Sequence, residues 1–164
     1  MTIVIVPEAI EIAPAGPAAV EEIEAMVARC SAEALFHRFH GVVGPAARAA
    51  ALLAGGAQEV FLARRADRCV GVASLAGDGG RCPHIGVLVE DAWQRCGIGS
   101  ALIATVAAAA RRRGADAIAA EILSEDRFIL GILARIGPVT TTAANPGYTA
   151  RVGLWPMEEA GSAA

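Results

Sequence analysis

The 164-residue sequence contains no lysine, since all 14 of its basic residues are arginine. This absence excludes a P-loop, whose phosphate site needs a Gly-Lys-Ser/Thr sequence. Aromatic residues make up only 4% of the chain and hydrophobic residues 55%, so the core must consist mainly of Ala, Val, Ile and Leu. The length suits one domain with a sizeable core. We therefore expect a single domain over residues 1–157 and a disordered tail at residues 158–164.

Long apolar runs and basic stripes are also missing. No run approaches the ~20 residues that span a membrane, so we expect no membrane partner. The first residues, MTIVIVPE, lack the positive region of a secretion signal, which favours a cytoplasmic location. The net charge is -3 and basic residues form no stripe, so we expect no nucleic acid as a partner either.

The sequence contains no pattern typical of a metal site. Its four cysteines are scattered without a C-x-x-C pair, as in a protein whose thiols stay reduced. His37 and His40 lie three residues apart, which is also a metal-ligand spacing, but no third ligand is close to them in the sequence. We interpret both histidines as surface or core residues and expect no metal.

The apolar periodicity predicts a mixed α/β domain with about seven strands. Strands are expected at residues 9–13, 59–63, 69–76, 85–89 and 116–123, with a final hairpin around residues 145–147. Helices are expected at residues 16–27, 31–40, 45–54, 100–113 and 124–137. Ser31 and Ser124 are the expected N-caps of two of these helices. The charged residues 64–68 are expected to form a turn, and the strand at 116–123 to run parallel to the strand at 85–89, because a long helix connects them.

A glycine loop, WQRCGIGSAL, connects the strand Ile85–Val89 to an alanine-rich helix. Gly97 and Gly99 allow the backbone to approach a ligand closely. The first turn of the helix offers free N–H groups and the positive end of the helix dipole, which together favour a phosphate. A dinucleotide site needs a third small residue where this chain has Leu102. Two glycines that only ease a tight turn are the alternative interpretation.

The segment from Ile85 to Gly137 resembles the GNAT superfamily of acyl-CoA-dependent N-acyltransferases. The superfamily signature Q/R-x-x-G-x-G/A corresponds to Gln94, Gly97 and Gly99. The resemblance is strongest to the GNAT domains of Pat-type bacterial protein lysine acetyltransferases, in which phrases similar to VEDAWQ, GIG and AEILSE occur in the same order. The earlier stretch CSAEALFHRFHG is weaker support for the same branch.

The resemblance implies a mixed sheet that splays open between the strand ending at Val89 and the strand Asp116–Leu123. The pantetheine arm of acetyl-CoA would lie in this opening and pair with backbone near Leu88 and Val89. The pyrophosphate would be held by the following loop and helix start. The implied cofactor-binding residues there are Gln94, Arg95, Cys96, Gly97, Ile98, Gly99 and Ser100. Asp126 stands where the family often has Asn, and it would add negative charge near the cofactor.

The implied chemistry needs a group that removes a proton, because an alkyl amine with a pKa of about 10 is mostly protonated at neutral pH. Many members of this branch use a glutamate ten residues before the signature glutamine, and His84 occupies that position here. Histidine can act as a base near neutral pH. Glu121 on the neighbouring strand is the second candidate. A backbone N–H near Val89 would stabilise the tetrahedral intermediate.

These features predict an N-acetyltransferase that moves an acetyl group from acetyl-CoA to a primary amine, either a protein lysine or a small molecule. The alternative is a catalytically weak acyl-CoA-binding or sensing module. The departures at His84, Asp126 and Leu133 motivate this alternative, because many relatives have a tyrosine at the position of Leu133 to protonate the leaving thiolate. A homodimer is compatible with the sequence, but no interface can be identified from it.

Overall fold

The structure is a computed structural model, in which residues 9–77 and 80–154 are described. The predicted domain end at 157 and the tail at 158–164 lie outside these residues. The described residues form one seven-stranded sheet with the order β1-β2-β3-β4-β5-β7-β6. The strands are β1 (Ile10–Pro14), β2 (Gln58–Arg65), β3 (Arg68–Ala76), β4 (His84–Val89), β5 (Ala117–Leu123), β6 (Val139–Ala143) and β7 (Gly147–Gly153). The predicted α/β class and the expected strand number are confirmed.

The sheet is mixed, because all neighbouring strands are antiparallel except β4 and β5. The long helix between these two strands returns the chain to the same edge of the sheet, as a parallel pair requires. The turn expected at residues 64–68 is shorter than predicted. Arg64 pairs with Cys69 and Arg65 with Arg68, so that only two residues remain outside the ladder. The Arg64 guanidinium is held there by two hydrogen bonds to Glu22, at 2.7 and 2.9 Å.

Five α-helices flank the sheet in the described part of the chain. They are α1 (Ala19–Val27), α2 (Ala32–Phe39), α3 (Ala46–Ala54), α4 (Ile98–Arg112) and α5 (Phe128–Leu133). Ser31 is the N-cap of α2, as predicted, and its Oγ accepts a hydrogen bond from the Ala34 N–H at 3.0 Å. No helix among residues 9–77 and 80–154 is long and apolar enough to cross a membrane.

The expected helix at residues 124–137 was wrong in both its start and its length. Ser124–Asp126 form a single 3-10 turn, and α5 then runs only from Phe128 to Leu133. Ser124 does not cap a helix, because its hydroxyl donates to the Pro146 carbonyl at 3.3 Å. The contact with the β6–β7 hairpin therefore replaces the local capping interaction that the sequence predicted.

The sheet separates two apolar clusters. On one face, α4 packs against the sheet through side chains such as Leu102, Val106 and Ile118, each with 0% exposure. On the other face, α1 and α3 pack through Ile23 and Leu53, which are 0% and 1% exposed. Aliphatic residues and alanine predominate in both clusters, as the low aromatic content predicts. The helix α4 is thereby fixed against β3 and β4 on one side of the sheet.

Replacing Leu102 with alanine should destabilise the fold by about 2–5 kcal/mol, because the deletion leaves a cavity between α4 and the sheet. Leu52→Ala is the matched control, since Leu52 lies on α3 with 54% of its surface exposed and its truncation should cost less than about 1 kcal/mol. Chemical denaturation of both variants measures the difference. Equal losses of stability in the two variants would contradict the packing described here.

Candidate active site

The sheet opens between β4 and β5. These strands share a single rung of pairing, His84 with Ala119. Just before that rung, the Ala119 N–H donates to the Pro83 carbonyl at 2.9 Å. Beyond it, β4 stays paired with β3 up to Val89, and β5 stays paired with β7 up to Leu123. The facing edges of β4 and β5 thus present main-chain N–H and C=O groups to the space between them.

The loop after β4 leads directly into α4. Gln94 is extended, and its Nε2 donates back to the Val89 carbonyl at 3.1 Å. Arg95 adopts a φ of 59° and Gly97 a φ of 83°, a conformation in which glycine carries no steric penalty. Gly97 is the N-cap of α4 and supplies no side-chain hydrogen bond. The N–H groups of the first helical turn, which follows β4 by one short loop, therefore have no capping side chain.

The remaining predicted loop residues surround this helix start. Ile98 is buried at 1% exposure and anchors the first turn in the core. Gly99 and Ser100 are half-buried in the same turn. Cys96 is also half-buried, and its Sγ donates to the Gln94 carbonyl at 3.5 Å. The structure thus brings the predicted anion-binding residues together around one helix N-terminus, and their role in binding an anion stays a prediction.

One buried and one exposed carboxylate fix the end of β4. Glu90 is 4% exposed, and its carboxylate lies 3.1 Å from Arg29 Nε and 2.7 Å from Arg68 Nη2. The next residue, Asp91, accepts hydrogen bonds from the Ser31 N–H at 2.8 Å and the Ser31 hydroxyl at 2.5 Å. Burial raises the pKa of Asp91, but the bonds from Ser31 outweigh it and keep the pKa below the usual value. These contacts join β4 and the loop to α1 and α2.

The side chains of β4 and β5 alternate between the two faces of the sheet. Ile85, Val87 and Val89 pack against the apolar cluster that contains α4, whereas Leu88 belongs to the cluster that contains α1. His84 therefore lies on the α1 and α2 face together with Leu88. On β5, Ile118, Ala120 and Ile122 belong to the α4 cluster. By the same alternation, Glu121 faces α2.

Both predicted proton acceptors thus lie on the same side of the opening. His84 is exposed at the rung where the strands separate. The Glu121 side chain is 64% exposed, and its Oε2 lies 4.0 Å from His40 Nδ1. Val89, the expected donor to the oxyanion, lies at the far end of β4. Within the described ranges, no three His, Cys, Asp or Glu side chains are arranged to hold a metal ion.

Asp126 and His37 form a contact that the sequence did not predict. Asp126 is 9% exposed, and its Oδ2 lies 2.6 Å from His37 Nδ1. The Asp126 carboxylate is therefore engaged by α2 and does not add an isolated negative charge to the opening. His37 is half-buried on α2, and in addition to packing there it is held by this polar contact. Its hydrogen bond to Asp126 raises its pKa above the ordinary value of 6.5, and the nearby Glu125 and Glu33 act in the same direction.

The model of the acetyltransferase (GNAT) family matches residues 21–129 of the chain. The fold is similar to that of the GNAT domain of S. lividans PAT, with a TM-score of 0.71, 21% sequence identity, and coverage of 86% of this chain and 87% of that one. It is also similar to yncA of Salmonella typhimurium, solved with its cofactor acetyl-CoA. There the TM-score is 0.66, the identity 22%, and the coverage 93% of this chain and 97% of that one.

A third similar structure is a cAMP-binding acyltransferase from Mycobacterium smegmatis. The TM-score is 0.59 and the identity 20%, over 91% of this chain but only 45% of that one. No curated protein sequence matches the chain. At these identities the solved structures show a common fold, and the family model covers the part of the chain that contains the glycine loop.

The contact between His37 and Asp126 should make stability depend on pH. Because the folded-state pKa of His37 is raised above 6.5, its contribution is fully present below pH 6.5 and is lost as pH rises through the raised pKa. A charge-assisted bond of a partly buried pair contributes about 1 kcal/mol. Wild type should therefore lose its advantage over His37→Gln as the pH rises from 6.5 through the raised pKa of His37, and Asp126→Asn should show the same flattened profile. Parallel unfolding curves for wild type and His37→Gln across that range would contradict the assignment.

Proposed function

This chain belongs to the acetyltransferase (GNAT) family, and we propose that it transfers an acetyl group from acetyl-CoA to a primary amine. The acceptor would be a small molecule or a protein lysine. The main support is the opening between β4 and β5, which leads to the uncapped N-terminus of α4. An extended ligand that carries amide groups at one end and phosphates at the other fits this combination.

The donor would lie along β4. Its pantetheine amides would pair with the free main-chain edge near Leu88 and Val89, because buried amide groups need hydrogen-bond partners. Its pyrophosphate would accept hydrogen bonds from backbone N–H groups between Arg95 and Ser100. The arginines at the other end of α4 lie about 20 Å away along the helix, so they cannot contribute to this phosphate site. A protein of the same fold, yncA, was solved with acetyl-CoA, which supports the choice of donor.

The reaction would proceed by direct attack. His84 or Glu121 removes a proton from the acceptor ammonium group, and the amine nitrogen then attacks the thioester carbonyl carbon. A backbone N–H near Val89 donates to the oxygen that becomes negative. The C–S bond breaks and CoA leaves as a thiolate, while the attacking nitrogen loses its second proton, which passes to the thiolate directly or through water. A thiol of pKa about 8.5 needs no acid to leave. This matters because Leu133, which stands where many relatives have a tyrosine acid, is apolar and fully buried and cannot protonate the thiolate.

Purified protein incubated with acetyl-CoA and a panel of primary amines and lysine peptides should release free CoA thiol faster than hydrolysis alone. Acetyl-CoA at 100 times its Kd should also stabilise the fold by about 2.7 kcal/mol, measured as a rise in Tm. Stabilisation without turnover would identify the alternative, a binding or sensing module. If the protein shows neither turnover nor stabilisation, acetyl-CoA is not its ligand.

Substituting the two candidate bases distinguishes their roles. Loss of a general base lowers kcat by about 100- to 10,000-fold and leaves acetyl-CoA binding intact, because neither side chain lies at the α4 N-terminus. We expect this result for His84→Ala and a smaller effect for Glu121→Gln. The pH dependence of kcat should lose its lower inflection in the variant that lacks the base. If both variants keep kcat within a few-fold of wild type, neither residue is the base and water must take the proton.

A further inference from the structure

The side chain of Arg38 extends from α2 to the middle of β4. Its guanidinium lies against Gly86, where an added Cβ would overlap both Nη2 and Cζ. Ser74 pairs with Gly86 across the β3–β4 ladder and is only 3% exposed. The Ser74 hydroxyl accepts a hydrogen bond from Arg38 Nη2 at 3.2 Å. The glycine and the serine together define the position of this guanidinium on the strand.

Arg38 has no anionic partner among the described residues. Its one hydrogen bond there is to the neutral Ser74, and its Nε is buried without a partner. Burial lowers the pKa of Arg38, with no carboxylate to offset it. By contrast, a carboxylate contacts the guanidinium in Arg29, Arg64, Arg68, Arg81 and Arg113. A desolvated guanidinium without a counter-charge is costly. The position of Arg38 therefore favours a ligand that carries a negative charge.

The location of Arg38 would place such a ligand on the α2 face of the opening, where the two candidate bases lie. Gly86 shares the α2 face of the sheet with His84 and lies two residues beyond it, about 7 Å along the strand. The same spacing separates Gly86 from Leu88, where the donor is expected. The phosphate site at Arg95–Ser100 lies beyond the far end of β4. Arg38 as a whole residue is half-buried rather than fully enclosed, as access by a small molecule requires.

We propose that Arg38 binds the carboxylate of the acceptor, and that the acceptor is therefore a small amino acid. This inference rests on the proposed function and specifies its substrate class. The planar guanidinium matches a carboxylate in a bidentate arrangement. In an amino acid, one or a few carbon atoms separate the carboxylate from the amine. With the carboxylate on Arg38, the amine lies between Gly86 and the donor, on the side where His84 and Glu121 can take its proton.

The test uses pairs of acceptors that differ only at the carboxylate, such as an amino acid and its amide, with acetyl-CoA and the full chain. Wild type should acetylate the amino acid with the higher kcat/KM. Arg38→Gln should lower kcat/KM for the amino acid by about 10- to 100-fold, the effect of losing one charged hydrogen bond, and should leave the amide unchanged. Arg38→Lys should recover part of the loss. Arg48→Gln, which alters an exposed arginine on α3, is the matched control and should behave as wild type.

Three results would overturn the inference. One is that wild type has the same kcat/KM for amino acids and their amides, or a higher kcat/KM for a lysine peptide than for every amino acid. Another is an equal loss for both members of a pair in Arg38→Gln, which would indicate a structural role. The third is weaker binding of acetyl-CoA by that variant, which would assign Arg38 to the donor site.

If Arg38→Gln fails to fold, the wild-type complex with CoA provides a second test. Stabilisation of this complex by the amino acid but not by its amide supports the inference, and a lack of this difference refutes it. Lack of turnover with any amine would refute the proposed function itself.

Discussion

The single rung between β4 and β5 is the constraint on which the site depends. Buried main-chain N–H and C=O groups must find partners, yet beyond His84 and Ala119 these strands provide none for each other. The sheet tolerates this because each strand keeps a complete ladder on its outer side, β4 with β3 and β5 with β7. The opening is thus a stable interruption of the sheet, and under the proposed function the amide groups of the donor would complete the hydrogen bonding that the strands leave open.

The two faces of this opening differ in how they are built. The α4 face is closed by a continuous apolar cluster, whereas the α2 face carries the exposed polar side chains of His84 and Glu121. None of the residues of α2 is fully buried, so apolar packing alone holds it weakly. Polar contacts at both of its ends position it instead. Ser31 at its start bonds to Asp91, and His37 near its end bonds to Asp126. The geometry of the α2 face therefore depends on a few hydrogen bonds rather than on the core.

Local sequence signals were sufficient for much of the fold. The strand before the loop and the alanine-rich α4 each follow from a few adjacent residues, and both were predicted. The errors arose where distant residues meet. Ser124 has the sequence of a cap, but it bonds to Pro146, 22 residues away. His37 lies 89 residues from Asp126, and Arg38 reaches Gly86 across the sheet. No local pattern encodes such pairs, and the roles of His84 and Glu121 remain predictions.

A guanidinium beside β4 would also affect the chemistry of an amino acid acceptor. The carboxylate of a free amino acid stabilises the positive charge on its own ammonium group and so opposes loss of the proton. When Arg38 neutralises that carboxylate, this stabilisation is removed. A weaker base is then sufficient to take the proton, whether that base is His84 or Glu121. The same contact would thus select the acceptor and promote its reactive form, which makes a modest base such as histidine sufficient at this position.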